Sequence, residues 1–134
     1  MRHNEWVVRS PQNPEGDRGN RRLQTFTLDG SHLKTIKDEQ QMRMPCNFHT
    51  QGEWMVCPEL DSQVCILDRQ HRVVVQLGDS KAENGDVGSR RSQSRARFTP
   101  AKFITPHDAI FLHAGDILVA EWLPIGRLTL LRRT

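Results

Sequence analysis

The sequence predicts an all-β protein, and three observations carry that reading. Short apolar runs with a period near two recur along the chain. Glycine- and aspartate-bearing turns separate them. No window holds apolar residues at i, i+3, i+4 and i+7 through successive helical turns, so the amphipathic-helix pattern is absent.

The elements follow in order. Trp6-Val7-Val8 opens the series, and an irregular stretch with Pro11 and Pro14 follows it. Leu23-Gln24-Thr25-Phe26 is then turned by Asp29-Gly30 into His32-Leu33-Lys34-Thr35-Ile36, a hairpin. Met44-Pro45-Cys46-Asn47-Phe48 is a proline-containing start, and Trp54-Met55-Val56-Cys57 is the next strand. Val64-Cys65-Ile66-Leu67 runs through Gln70-His71 into Val73-Val74-Val75-Gln76-Leu77. Gly78-Asp79 ends that group. Thr105-Pro106-His107-Asp108-Ala109 repeats the proline start and leads into Ile110-Phe111-Leu112. Ala114-Gly115-Asp116 turns the chain into Ile117-Leu118-Val119-Ala120, and Ile125-Gly126 turns it again into Leu128-Thr129-Leu130-Leu131.

These strands recur as groups, in units spanning about residues 5–42, 43–79 and 103–134, each of about four strands, the signature of a propeller blade. The predicted architecture is a single domain over 1–134, a partial β-propeller of about three four-stranded antiparallel blades. Residues 80–102 read as a mobile inter-blade loop that turns basic towards its end. An open arc leaves unpaired edges and uncovered faces, which predicts self-association, most simply as a dimer approximating a six-bladed ring.

Composition bounds the function classes. The 134 residues suffice for one domain, with 36% hydrophobic and 26% charged residues. No apolar run approaches the roughly 20 residues of a membrane helix. The N-terminus has no apolar stretch of signal-peptide type, which favours a cytoplasmic location. The net charge of +3 permits attraction to polyanions without demanding it. Cys46, Cys57 and Cys65 match no zinc-knuckle spacing, and Cys57 and Cys65 lie in apolar runs, so buried thiols are expected.

Residues 16–30, with Asp17-Arg18-Gly19-Asn20-Arg21-Arg22-Leu23 running into Leu28-Asp29-Gly30, resemble the core of an NHL repeat. Glu53 to Asp79 and Phe103 to Arg133 resemble two further blades. Phe103-Ile104-Thr105-Pro106-His107-Asp108-Ala109, with Asp116 to Trp122, is similar to propellers related to the peptidyl-α-hydroxyglycine α-amidating lyase. The resemblance implies a six-bladed fold with a ligand site at the mouth of the central channel. It implies His107 as a zinc ligand and Asp108 as the neighbouring catalytic acid or base. In the related propellers a histidine stands near Cys46-Asn47, where this chain has asparagine, a poor zinc ligand. His49, two residues on, is the candidate replacement on the same strand face.

The residues themselves leave other readings open. His107 can cap a turn while Asp108 accepts backbone N–H bonds. Glu121 and Arg127 are candidates to line the channel entrance, with Trp122 packed between blades. Arg90, Arg91, Arg95 and Arg97 form a basic cluster, either a solvated loop or a surface for single-stranded RNA. His32, His71 and His113 fall at turns or exposed positions. Two function classes follow: a non-catalytic propeller module presenting loops to a protein or small ligand, or a zinc-dependent lyase-like enzyme.

Overall fold

Strands that carry side chains into apolar surroundings on both faces lose the polar half of their alternation. Met55 to Pro58 and Val64 to Leu67 are such runs, and they form the centre of the molecule. A computed structural model describes residues 20–27, 29–38, 40–82 and 87–134, together with the backbone of 6–7. Among these residues ten strands form three antiparallel sheets. The N-terminal sheet has β1 (Trp6–Val7), β2 (Leu23–Phe26) and β3 (His32–Ile36). The middle sheet has β4 (His49–Gln51), β5 (Trp54–Glu59), β6 (Gln63–Leu67) and β7 (Val73–Leu77), side by side in chain order. The C-terminal sheet has β8 (Pro106–Phe111), β9 (Ile117–Glu121) and β10 (Arg127–Leu131). The chain is all-β, as the periodicity predicts. Among the described residues the sheets have three, four and three strands, so the middle sheet alone has the expected four.

The sheets stack with the four-stranded one in the middle. Met55, Cys57, Cys65 and Leu67 pack against Leu23 and Ile36 of the N-terminal sheet. The alternate residues Val56, Val64 and Ile66 pack against Phe103, Ala109, Ile117 and Val119 on the other side. All three cysteines are buried free thiols.

The pairing registers of the sheets resemble one another. Glu59, Pro58, Cys57, Val56 and Met55 lie opposite Gln63, Val64, Cys65, Ile66 and Leu67. Glu121, Ala120, Val119, Leu118 and Ile117 lie opposite Arg127, Leu128, Thr129, Leu130 and Leu131 in the same order. Pro45 bridges to Glu59, and Pro106 pairs with Glu121. The N-terminal hairpin repeats the outer hairpin of the middle sheet in the same way. Leu23, Gln24 and Thr25 pair with Ile36, Thr35 and Lys34, a bulge intervenes, and Phe26 meets His32. Val64, Cys65 and Ile66 pair with Leu77, Gln76 and Val75, a bulge intervenes, and Leu67 meets Val73. Both hairpins turn in the left-handed region, at Gly30 (φ 88°) and at His71 (φ 59°). Among the described residues, the N-terminal sheet therefore has no counterpart of β4 and the C-terminal sheet none of β7.

The predicted loop at 80–102 carries regular structure among its described residues. It contains a short helix α1 (Val87–Arg91) and a 3₁₀ turn at Arg95–Arg97. Its base is fixed where the Phe103 amide donates to the Gly78 carbonyl at 2.9 Å. Gly78 has φ +61°, and a Cβ there would lie 2.5 Å from the Ala101 carbonyl oxygen, so only glycine fits. Arg43 grips Asp79 through both terminal nitrogens at 2.8 and 2.6 Å, which holds the Asp79 carboxyl down at about 2. No helix among the described residues is long and apolar enough to cross a membrane.

Candidate functional site

The residues singled out by the family resemblance fall along the seam between β4 and β8. Alternate residues of a strand point the same way, and three of them reach from β4 and its approach to β8. Asn47 Nδ2 donates to Asp108 Oδ1 at 2.9 Å. The Phe111 amide donates to His49 Nδ1 at 3.1 Å, and Gln51 Nε2 donates to the Leu112 carbonyl at 2.9 Å. Asn47 and Asp108 are counterparts, each two residues beyond the repeated proline. Each side-chain oxygen accepts the amide of the next residue, Phe48 or Ala109, at 2.9 Å.

His107 and Asp108 were expected in a turn. They lie inside β8, where the register shifts between Pro106 and Asp108. Asp108 is exposed, and the half-buried His107 ring stands 6.4 Å from the Trp122 ring. His49 meets Phe111, about 13 Å of strand away from the His107 position. The structure thus does not bring His49 and His107 together. Among the described residues, no three His, Cys, Asp or Glu side chains gather as a metal-holding group.

Glu121 and Arg127 are brought together, but in the interior rather than at a channel entrance. The fully buried Glu121 side chain accepts the Ile104 and Thr105 amides at 2.6 and 3.2 Å, and Arg127 Nε closes an ion pair with it. Arg127 also donates to the Thr99 carbonyl at 3.3 Å and to the Lys102 carbonyl. The pair bolts the segment before β8 onto the end of β9.

The matching corner of the middle sheet holds Glu59. Both of its oxygens accept the Arg43 amide at 3.0 Å, and Gln63 Nε2 donates to one of them. Gln63 also donates to the Gln41 carbonyl at 2.6 Å and accepts from Gln76 at 3.0 Å. Burial raises the Glu59 carboxyl to about 7 despite these donors, and burial pushes the nearby Cys65 thiol up as well.

The basic cluster is dispersed by folding. Arg90 is buried, donating to the Ser80 carbonyl at 2.9 Å, to Ser80 Oγ at 2.8 Å and to Ser62 Oγ. A solvated Arg90 is therefore corrected. Arg91 lies 3.6 Å over the Trp122 ring and donates to the Trp122 carbonyl at 2.8 Å. Trp122 is exposed under that cation instead of packed between sheets. Arg95 reaches the Ile125 carbonyl at 3.4 Å, and Arg97 is exposed.

Two surfaces stand out, the first an uncovered apolar face of the kind expected for an open arc. The outer face of the C-terminal sheet is apolar: Ile110, Leu118 and Leu130 lie opposite one another, beside Ala120 and Leu128, and Leu128 is 71% exposed. A groove of about 750 Å³ opens between the middle and C-terminal sheets, with Ile66, Val75 and Leu77 on one wall and Phe111, Leu130 and Leu131 on the other. The signal for the first was an apolar residue at every position of a strand expected to show one polar face. No protein-family model matches the chain, and no curated protein matches it.

Proposed function

We propose that this chain is a non-catalytic, NHL-type propeller module: an arc of three blades that presents its faces and loops to a protein or other ligand. The observation that carries the reading is the repeated register, Pro–Glu–Gln in the middle sheet and Pro–Glu–Arg in the C-terminal sheet, with the first strands of the two sheets lying against each other. Neighbouring copies joined along their first strands are the arrangement of blades about a channel. The apolar outer face of the C-terminal sheet supports association with a second copy, because it corresponds residue for residue to the middle-sheet face that another sheet covers.

A zinc-dependent lyase receives less support. Asp108 is held by Asn47 and the Ala109 amide, and His49 Nδ1 by the Phe111 amide. RNA binding through the basic cluster is weakened by the inward turn of Arg90. Metal analysis of protein purified without chelator tests the module against the enzyme. The module reading expects substoichiometric zinc, and stoichiometric zinc lost on His107→Ala overturns it. Light scattering tests the association: a dimer is expected, and a monomer at all accessible concentrations rejects it.

A further inference from the structure

We infer that the groove between β7 and β10 is a strand-acceptor site that takes an extended peptide segment of a partner protein, adding a fourth strand to the C-terminal sheet. The inference specifies the partner class of the binding module and rests on that reading only for the correspondence of the sheets. In the middle sheet, β7 pairs with β6 along Val64–Leu77, Ile66–Val75 and Leu67–Val73. β10 matches β6 in register, yet on its outer side no strand lies among the described residues. Among the described residues its backbone donors and acceptors there have no strand partner, with exposed Leu128 and Leu130 and no charged side chain between Arg127 and Arg132 to discourage pairing.

The opposite wall carries the same vacancy. Where the N-terminal and middle sheets adjoin, β3 stands beside the outer hairpin of the middle sheet, and Lys34 Nζ donates to the Gln70 carbonyl at 3.4 Å. Val75 is the counterpart of Lys34 and faces the corresponding space on the next sheet, 40% exposed. The groove of about 750 Å³ is thus the room a fourth strand would fill, with an apolar wall for alternate side chains and a backbone edge for hydrogen bonds. Arg132 and Arg133 border it at the end of β10, so an acidic residue at the start of the incoming strand complements the site.

The probe is a synthetic peptide of residues 68–79 of this chain, whose β7 segment occupies the matching place on β6. Added at about 1 mM to the whole chain, it should slow hydrogen exchange of the outward β10 amides at least tenfold. Two further peptides carry N-methyl groups on one or the other alternating set of amides. One should lose binding and the other keep it, because only one set faces β10. Val75→Asp, at an exposed position that leaves the melting temperature near that of the parent, should weaken binding at least tenfold. Arg72→Glu in the peptide should tighten it about twofold to fivefold through Arg132. Unchanged β10 exchange, or equal binding of both methylated peptides, overturns the proposal. So does protection of β10 without peptide that is lost on dilution to monomer, since a second copy is then the occupant. None of these results depends on zinc content or on dimerisation through the outer sheet face, so the module reading fails or survives separately.

Discussion

Glu59 and Glu121 stand at matching corners of two sheets with similar pairing registers, and the chain neutralises them differently. Each ends the second strand of its sheet, each lies opposite a proline, and each ties the incoming segment through backbone amides. Across the strand from Glu121 is Arg127, and across from Glu59 is Gln63. The amide acceptor is therefore the shared requirement, and a directly bonded counter-charge is not, since the Arg43 guanidinium near Glu59 is bonded to Asp79. Glu59 lies in the sheet that is covered on both faces, where a guanidinium would also need desolvating. Glutamine donors and a raised carboxyl pKa meet the need there. Arg127 lies in the outermost sheet, where its stem can lead the guanidinium out to the Thr99 and Lys102 carbonyls.

The largest effect should come from breaking the charged corner. Arg127→Met leaves Glu121 buried with its two amides but no counter-charge, and the cost is about 3–5 kcal/mol at neutral pH. Gln63→Met in the other corner should cost about 1–3 kcal/mol, since Glu59 retains the Arg43 amide and can take up a proton. Urea unfolding of both variants checks the order. A Gln63→Met loss equal to or greater than that of Arg127→Met would dissolve the distinction.

The second effect is a pH dependence that belongs to the amide corner. The Glu59 carboxyl titrates at about 7 in the folded chain against 4.5 ordinarily, so the folded state binds more protons between those values. Stability then falls as pH rises through that window, by about 1.4 kcal/mol per pH unit and on the order of 3 kcal/mol in all. Below the window both states are protonated, and above it both are ionised. Glu59→Gln should remove this contribution from urea midpoints measured between about pH 5 and about pH 8. An unaltered pH profile in Glu59→Gln would place the carboxyl in its ordinary range.

Much of the strand order was legible because it is written in local chemistry. Pro45 and Pro106 mark equivalent starts, Asp29-Gly30 marks a hairpin, and the apolar runs of β5, β6 and β9 announce buried strands. What local chemistry could not carry was pairing over distance. Asn47 and Asp108 are sixty-one residues apart, so their contact depends on how two sheets adjoin. The burial of Arg90 depends on Ser62, twenty-eight residues earlier, and a run of arginines among serines reads as solvated until that partner is known. Trp122 misled for the opposite reason: its size suggests a core, but stacking by Arg91 lets it stay outside. The groove beside β10 was hidden because its walls come from two sheets, Ile66, Val75 and Leu77 on one side and Phe111, Leu130 and Leu131 on the other.

The two corners can also be made alike. Arg127→Gln gives the C-terminal sheet the glutamate–glutamine pair of the middle sheet. The loss should be smaller than for methionine, about 1–3 kcal/mol near neutral pH, because an amide donor is restored. Urea midpoints near neutral pH measure it. A variant as costly as Arg127→Met would show that Arg127 matters for its bonds to Thr99 and Lys102 and not for its pairing with Glu121.

The smallest effect is expected where the middle and C-terminal sheets touch, at Asp108. Asp108→Asn keeps an oxygen to accept the Ala109 amide and Asn47 Nδ2, and it removes only a charge at an exposed position. The loss should be less than about 1 kcal/mol, because the bonds remain and water screens the carboxylate. A carboxylate that instead oriented His107 on a metal would behave otherwise. Its replacement would weaken metal affinity by about 10- to 100-fold while leaving the metal-free fold intact. Thermal melts of parent and variant, with and without added zinc, separate the two roles. Superimposable zinc responses fit a structural carboxylate at the meeting of two sheets. Stabilisation by zinc in the parent that disappears in Asp108→Asn would make the seam between β4 and β8 a metal site and reverse the ranking of the two function classes.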